Sequence, residues 1–204
     1  MNKYEKLLSS VWKTLDDYRY KHVFSVYNEC IRLSDIFFLS EKDTDTLLTA
    51  SILHDITKSV KDSEQIGLAD SMGIKLSKYD RESPKTLHAI TGAELIKTEY
   101  PTHATAQVCS AIRYHTTGKA NMTIVEKLLY LADYIEPTRT FEDCRQVRDL
   151  FYSLLDSGMN KRKCLDKALL LSFDLTISEL IHVGGTIHPD TVISRNYILK
   201  NLDY

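Results

Sequence analysis

The sequence predicts an all-α fold built as a single domain. Apolar residues recur three and four positions apart along nearly the whole 204-residue chain, which is the spacing of amphipathic helices. Seven glycines and four prolines are too few for a turn-dense all-β fold. The chain also has no internal repeat, low-complexity tract or Ser/Pro-rich linker. One core is therefore expected, burying roughly 70% of the surface that the unfolded chain exposes.

In chain order, the spacing predicts helices over residues 3–17, 20–39, a segment that includes 47–52, 62–71, 86–99, 102–114, 123–135, 141–156, 160–182 and 189–201. Asp43 or Thr44 could cap the third helix, and Pro101 fits the first position of the sixth. Segment 57–85 is more polar, so an exposed loop is expected after its short helix. Gly184-Gly185 separates the last two helices.

The charge balance excludes several classes of function. The chain has 26 Lys plus Arg against 28 Asp plus Glu, a formal net charge of −2, and 43% of its residues are apolar. These values are typical of soluble globular proteins and exclude both a disordered chain and a broad basic face for nucleic-acid polymers.

No secretory signal and no run of about 20 apolar residues is present. A cytoplasmic protein without membrane contact is therefore expected.

Polar residues continue the apolar faces of several predicted helices. His54 continues the face of Leu47 and Asp55 the neighbouring face of Leu48, so both side chains are expected to point into the core. A carboxylate buried without a partner is strongly destabilising, so a cation or a donor network must meet Asp55. A single core-facing histidine is more often a hydrogen-bonded core residue than a ligand. The metal hypothesis depends on the whole set, which adds His22, His88, His115 and Asp133.

This set contains only nitrogen and oxygen ligands. Four imidazoles and two carboxylates suit iron, manganese or zinc better than calcium or magnesium. Six ligands exceed the three protein ligands that are typical of a mononuclear catalytic zinc. Two ions about 3.5–4 Å apart and bridged by one carboxylate would use all of them. Asp55 is the natural bridge, because its neighbour His54 points about 100° away round the helix.

The order His22, His54-Asp55, Asp133 resembles the metal-binding signature of HD-domain phosphohydrolases, an all-α superfamily, and His88 and His115 match its dinuclear members. More narrowly, the segments HV (22–23), HDITK (54–58), AIRYHTTG (111–118) and LADYIEPTR (131–139) resemble the YqeK-type family, over roughly residues 5–195. Those proteins are symmetrical bis(5′-nucleosyl)-tetraphosphatases, which split diadenosine tetraphosphate into two ADP at a di-iron centre. Thr138 replaces a common glycine of that family and Thr57 a common alanine, which affects the expected substrate contacts more than the metal site.

The resemblance implies one HD-type helical bundle over residues 1–204, with a metal-binding core at about 18–140 and C-terminal helices at about 141–204 packed on it. It also implies two divalent or mixed-valence metal ions, with iron preferred and manganese or zinc as alternatives. One ion would be held by His22, His54, Asp55 and Asp133, and the other by Asp55, His88 and His115. A metal-bound hydroxide would then attack phosphorus in a small nucleotide substrate.

The resemblance further implies residues that act on the substrate. Catalytic roles are assigned to Asp55 and Lys58, since Lys58 follows the His54-Asp55 pair within about one helical turn. The residues expected to bind substrate are Lys58, Thr116, Thr117, Gly118 and Arg139.

Several interpretations remain open. Lys58 could be a solvated surface lysine, Arg139 could pair with Glu136 or Asp143, and the 116–118 turn could simply end a helix. The same scaffold could serve a nucleotidase or a nucleoside-polyphosphate hydrolase. A non-catalytic nucleotide-binding HD module is a further alternative, although no ligand of the set is missing. The sequence leaves open the native metal, the nucleobase, the polyphosphate length and whether the protein forms a homodimer.

Overall fold

A computed structural model describes residues 3–202 of the chain. These residues fold into eleven α-helices and one short 3-10 helix. These residues contain no β-strand, so the predicted all-α fold is confirmed. The helices are α1 (Lys3–Trp12), α2 (Asp17–Phe37), α3 (Glu41–Leu53), α4 (Asp62–Ser71), α5 (Lys78–Glu82), α6 (Leu87–Glu99), α7 (Ala106–Tyr114), α8 (Ile124–Ile135), α9 (Glu142–Asp156), α10 (Lys161–His182) and α11 (Pro189–Asn201), with the 3-10 helix Pro84–Thr86 before α6. Within residues 3–202, no helix combines the length and apolar character of a membrane span.

Capping side chains decide where two of the helices begin, and they correct the predicted starts. The Ser40 hydroxyl accepts the backbone N–H of Asp43 at 3.1 Å, so the cap of α3 is Ser40 and not Asp43 or Thr44. Thr105 caps α7 in the same way, so Pro101 lies in the preceding turn and not at the first helical position. Both differences arise because side-chain to backbone hydrogen bonds set helix starts more sharply than apolar spacing does.

The segment predicted as an exposed loop contains a further short helix. α4 lies where it was predicted, but α5 follows it over Lys78–Glu82. Ser77 and Asp80 form a reciprocal capping box: the Asp80 N–H donates to Ser77 Oγ at 3.1 Å, and the Ser77 N–H donates to Asp80 Oδ2 at 2.8 Å. The first helix is shorter than predicted, because α1 ends at Trp12 and Asp16 caps α2.

A single hydrophobic core joins the N-terminal and C-terminal helices. α2 packs on α3 and α8, while α3 and α6 pack on α7. α9 and α10 pack on α8, and α11 packs on α10. Buried side chains from both halves, including Leu47, Leu128, Phe151 and Phe173, belong to one cluster. The terminal residues 1–2 and 203–204 of the predicted domain lie outside the described residues, so the domain bounds stay a prediction.

A buried polar cluster attaches the C-terminal helix to the rest of the chain. Asp80 Oδ1 lies 3.2 Å from His188 Nε2 and 3.5 Å from Arg113 Nη2, so it links α5, α7 and the start of α11. His188 is the N-cap of α11, and its Nδ1 accepts the Asp190 N–H at 3.2 Å. The ring proton must then be on Nε2, which donates it to Asp80.

Replacing Asp80 with asparagine is expected to lower the free energy of unfolding by about 1–2 kcal/mol, which corresponds to a decrease in Tm of roughly 2–8 °C. Although burial alone raises the pKa of Asp80, hydrogen bonds from Ser77 and the charge of Arg113 bring it below its ordinary value. A carboxyl with a depressed folded-state pKa stabilises the fold above its unfolded pKa of about 3.9, and this contribution is lost as the pH falls through the folded value. The Tm difference should therefore be full above about pH 4 and shrink in stronger acid.

Thermal unfolding followed by circular dichroism at several pH values measures this difference. Asp70→Asn is the matched control, because Asp70 forms an exposed pair with Arg81 at 2.9 Å and should change stability by less than about 0.5 kcal/mol. A Tm difference for Asp80→Asn that persists unchanged in strong acid would contradict the electrostatic explanation.

Candidate metal centre

The six side chains predicted as metal ligands lie together next to one cavity. They come from five parts of the chain, because α2, α6 and α8 each contribute one residue and the other three follow the ends of α3 and α7. Five of the six are buried and the sixth, Asp133, is half-buried. The set is His22, His54, Asp55, His88, His115 and Asp133. Its members form three overlapping triads, and within each triad the ligand atoms lie within 4.8 Å of one another.

Asp55 faces both halves of this cluster. Its Oδ2 lies 3.7 Å from Nε2 of His22 and 3.7 Å from Nε2 of His54. Its Oδ1 lies 3.3 Å from Nε2 of His88 and 3.7 Å from Nε2 of His115. On the first side, Asp133 Oδ1 lies 3.0 Å from His22 Nε2 and 3.8 Å from His54 Nε2. The two carboxylate oxygens of Asp55 thus point to two different pairs of imidazoles, as a bridging ligand requires.

In each of the four histidines, Nε2 faces Asp55 and the other ring nitrogen, Nδ1, is hydrogen-bonded to a fixed acceptor. For His54, His88 and His115, Nδ1 lies 2.7–2.9 Å from the backbone carbonyl oxygen three residues earlier. A carbonyl can only accept, so Nδ1 carries the proton and the Nε2 lone pair faces Asp55. His22 donates its Nδ1–H to Glu136 Oε1 at 3.0 Å. Such partners orient a metal-binding imidazole and set its tautomer.

The donor set fits two divalent cations. His54 Nε2 is a buried nitrogen atom without a hydrogen-bond partner, and it faces carboxylate oxygens of Asp55 and Asp133. A buried imidazole nitrogen without a hydrogen bond destabilises the fold unless a donor or a cation interacts with its lone pair. A metal cation would satisfy this requirement. Imidazole nitrogens and carboxylate oxygens are the ligands of zinc, iron and manganese sites.

The protonation states at neutral pH suit metal binding for most of the cluster. Burial lowers the pKa of His54 and of His88 to about 4, so both imidazoles are neutral. His22 differs: burial alone lowers its pKa, but hydrogen bonds with Asp133 and Glu136 raise it to about 9.

Four cationic side chains line the adjoining cavity, whose volume is about 430 Å³: Arg19, Lys58, Lys85 and Arg139. Arg19 Nη1 lies 2.6 Å from Asp55 Oδ2, and Arg139 Nη2 lies 2.7 Å from Asp133 Oδ1. The alternative pairs of Arg139 with Glu136 or Asp143 are therefore wrong. Sequence reasoning missed Arg19 and Lys85, although each stands three residues before a ligand histidine and so on the same side of the chain.

Lys58 lies beside the half of the cluster that His88 and His115 form. Its Nζ is 3.2 Å from His88 Nδ1 and 3.4 Å from the Lys85 carbonyl oxygen. Burial lowers the pKa of the Lys58 ammonium. The alternative of a solvated surface lysine is therefore wrong, and Lys58 lines the cavity.

Of the predicted 116–118 turn, only Thr116 lines the cavity. Thr117 is buried and its carbonyl accepts the Ser194 hydroxyl at 3.3 Å. Gly118 has a φ of +64°, and a Cβ there would lie 2.7 Å from Ser194 Oγ and 2.8 Å from the Phe173 ring. The turn therefore packs against α10 and α11, and Thr117 and Gly118 are not brought to the cavity with the other predicted substrate residues.

Glu136 is a buried residue of the site that the sequence did not single out. The Thr138 backbone N–H donates to its Oε2 and the Thr138 hydroxyl to its Oε1, both at 2.6 Å. Although burial raises the pKa of Glu136, these bonds and the one from His22 lower it to about 2. Arg148 fixes the same segment by donating to the backbone carbonyls of Glu136 and Arg139 at 2.6 and 2.8 Å. Thr138 therefore supports the acceptor that orients His22.

Thr57 has an internal role. Its hydroxyl donates to the His88 carbonyl oxygen at 2.9 Å and lies 2.9 Å from the Thr91 hydroxyl. It is buried and does not line the cavity, so this departure from the family pattern affects the support of α6 and not a surface that substrate can reach.

Comparison with known proteins supports the same interpretation. A family model described as HD domain matches residues 19–138. The chain is 32% identical over 198 residues to a Bacillus subtilis protein named bis(5′-nucleosyl)-tetraphosphatase, symmetrical, covering 96% of this chain and 97% of that one. A Staphylococcus aureus protein of the same name is 32% identical over 195 residues, covering 95% and 93%.

A solved structure is similar over almost the whole chain. It comes from Clostridium acetobutylicum, is described as a predicted HD superfamily hydrolase involved in NAD metabolism, and matches with a TM-score of 0.80. Its sequence identity to this chain is 32%, with 98% of each chain covered. The resemblance to the YqeK-type proteins is thus confirmed, and the chain belongs to the HD domain family.

Proposed function

We propose that the chain is a metal-dependent phosphohydrolase that cleaves diadenosine tetraphosphate symmetrically into two ADP, and that it accepts related dinucleoside polyphosphates. The observation that carries this proposal is the ligand cluster around Asp55, next to a cavity lined by four cationic side chains. Relatives with 32% identity over almost the whole chain are named for this activity. A nucleotide-binding module without catalysis would have no need of a complete ligand set.

In this proposal the metal ions are two iron ions, with manganese and zinc as functional substitutes, since imidazole and carboxylate ligands accept all three. The residues that would hold one ion are His22, His54, Asp55 and Asp133, and those for the other are Asp55, His88 and His115. When bound, such ions lower the pKa of coordinated water towards about 7 and neutralise charge on phosphoryl oxygens. The protein itself contributes the fixed acceptors of the Nδ1 protons, which keep each Nε2 directed at one of the two oxygens of Asp55.

The cationic side chains supply the positioning on which phosphoryl transfer depends. Arg139 lies beside Asp133, whereas Lys58 lies beside His88 on the other half of the cluster. A polyphosphate that crosses the site would therefore meet positive charge on both sides of the phosphorus that is attacked. A guanidinium can also hold two phosphate oxygens at once, and this suits Arg19 and Arg139 to orient the chain of phosphates.

Lys58→Ala is expected to reduce kcat by roughly 10²–10³-fold, the usual cost of losing one positioned charge donor at a reacting centre. The metal content should stay that of the wild type, because Lys58 is not a ligand in this proposal. Steady-state kinetics and metal analysis of the same sample check both expectations. Lys97→Ala is the control, since Lys97 forms an exposed pair with Glu94 on α6. Unchanged kinetics in Lys58→Ala would remove Lys58 from the mechanism.

Product identification tests the proposed function directly. Protein purified without oxygen and loaded with iron is incubated with diadenosine tetraphosphate, and the nucleotides are separated by chromatography. ADP alone is expected, whereas ATP plus AMP would contradict symmetrical cleavage. A parallel panel of nucleoside mono-, di- and triphosphates separates the nucleotidase alternative. The absence of any product from all substrates would contradict an enzymatic role, and metal analysis of the purified protein tests the assignment of iron.

A further inference from the structure

Phe141 is an exposed aromatic residue whose position is explained neither by burial nor by helix capping. Its side chain is 63% exposed. It occupies the N-cap of α9 without any side-chain hydrogen bond to the helix, although Ser, Thr, Asp and Asn are preferred there. A large apolar ring in contact with water also gains no stabilisation from burial. The fold alone therefore supplies no reason for phenylalanine at this position.

Phe141 lies where two depressions of the surface meet. It lines the cavity of the metal centre, and it also lines a groove of about 670 Å³ formed by α9 and α10. This α9–α10 groove includes three carboxylates, from Glu142, Asp143 and Glu179, and the apolar side chain of Leu175. Among the described residues, no lysine or arginine lines the groove.

The two depressions suit opposite ends of a nucleotide. The metal-centre cavity has four cationic side chains and attracts phosphate. The groove has acceptors and negative charge, so it repels phosphate but can accept hydrogen bonds from ribose hydroxyls and from the amino group of a base. The Phe141 ring between them offers a flat apolar surface, and aromatic side chains bind bases by stacking because every base has a π-face.

We infer that Phe141 and the α9–α10 groove form a nucleoside subsite. The base of one nucleoside stacks on the Phe141 ring, and its phosphates extend from there into the metal-centre cavity. The inference rests on the proposed function for the identity of the substrate, but it concerns recognition of the uncharged end of the nucleotide. It predicts that the affinity for ADP depends on Phe141, whereas the affinity for inorganic pyrophosphate does not.

The test measures binding to the manganese-loaded protein by calorimetry, with ADP and inorganic pyrophosphate as the two probes. Phe141→Ala is expected to weaken ADP binding by roughly 5- to 100-fold, the usual loss for one stacked base, and to raise KM for diadenosine tetraphosphate more than it lowers kcat. Pyrophosphate affinity and metal content should stay within about twofold of the wild type. Phe141→Tyr keeps the flat ring and should restore ADP binding. Phe38→Ala is the control, because Phe38 is 83% exposed and lines neither depression.

Two results would overturn the inference: unchanged ADP affinity in Phe141→Ala, or an equal loss of pyrophosphate affinity in that variant. These results are distinct from a failure of the proposed function. If the wild type releases no ADP from diadenosine tetraphosphate, the proposed reaction is wrong, yet a Phe141-dependent affinity for ADP would still establish the nucleoside subsite. If the reaction proceeds with the same KM in Phe141→Ala, the reaction stands and the subsite is refuted.

Discussion

Replacing Asp55 with alanine is expected to remove both metal ions and to reduce activity by at least about 10³-fold. Asp55 is the side chain whose two oxygens point to different pairs of imidazoles, at 3.3–3.7 Å from their Nε2 atoms. Its loss therefore affects both candidate metal sites at once. Metal ions typically supply several kcal/mol of transition-state stabilisation, and each 1.36 kcal/mol corresponds to a factor of about ten in rate.

Elemental analysis of protein reconstituted with iron or manganese measures the metal content, and product formation from diadenosine tetraphosphate measures the activity. Asp149→Ala is the matched control, because Asp149 is an exposed carboxylate of α9 that does not line the cavity. Asp55→Asn is a useful intermediate, since its amide oxygen can still contact one ion and should retain more metal than alanine does. Near-normal metal content in Asp55→Ala would show that Asp55 is not a bridging ligand.

Replacing Glu136 with glutamine is expected to weaken metal binding by about 10–100-fold, the range seen when the partner of a ligand histidine is lost. Glu136 accepts hydrogen bonds from the Nδ1–H of His22 and from both the N–H and the hydroxyl of Thr138. A glutamine amide has one acceptor oxygen, so its NH₂ group would face one of these donors in a buried place. His22 would then lose its fixed orientation towards Asp55 and Asp133.

Competition with a chelating dye measures the affinity of the two sites separately. The weaker binding should appear in the site that includes His22, while the site of His88 and His115 is affected less. Thr138→Ser keeps the hydroxyl that donates to Glu136 and should bind metal like the wild type, whereas Thr138→Val should lie between the wild type and Glu136→Gln. A lower Tm with unchanged metal affinity in Glu136→Gln would mean that Glu136 only stabilises the fold.

The order and type of the helices could be predicted from the sequence, because apolar residues at 3.6-residue spacing indicate a helix and the face that it buries. The six candidate ligands could be identified for a related reason. His54 and Asp55 follow apolar faces, where an ionised side chain is destabilising without a partner, and the ordered motifs then resembled one family. Helix starts were less accurate, since they depend on single capping residues such as Ser40 and Thr105.

Only the tertiary structure decided which side chains meet across helices. The partner of Arg139 is Asp133 and not Glu136 or Asp143, and Arg19 reaches Asp55 across 36 residues of chain. Gly118 turns towards Ser194 and Phe173 and so away from the cavity. Such contacts depend on the distance and angle between packed helices, which no local pattern encodes. The sequence by itself determined an all-α chain with six candidate ligands that offer only nitrogen and oxygen atoms. The packing of α2, α3, α6, α7 and α8 decided that Asp55 faces both pairs of imidazoles, next to a cavity lined by four cationic side chains.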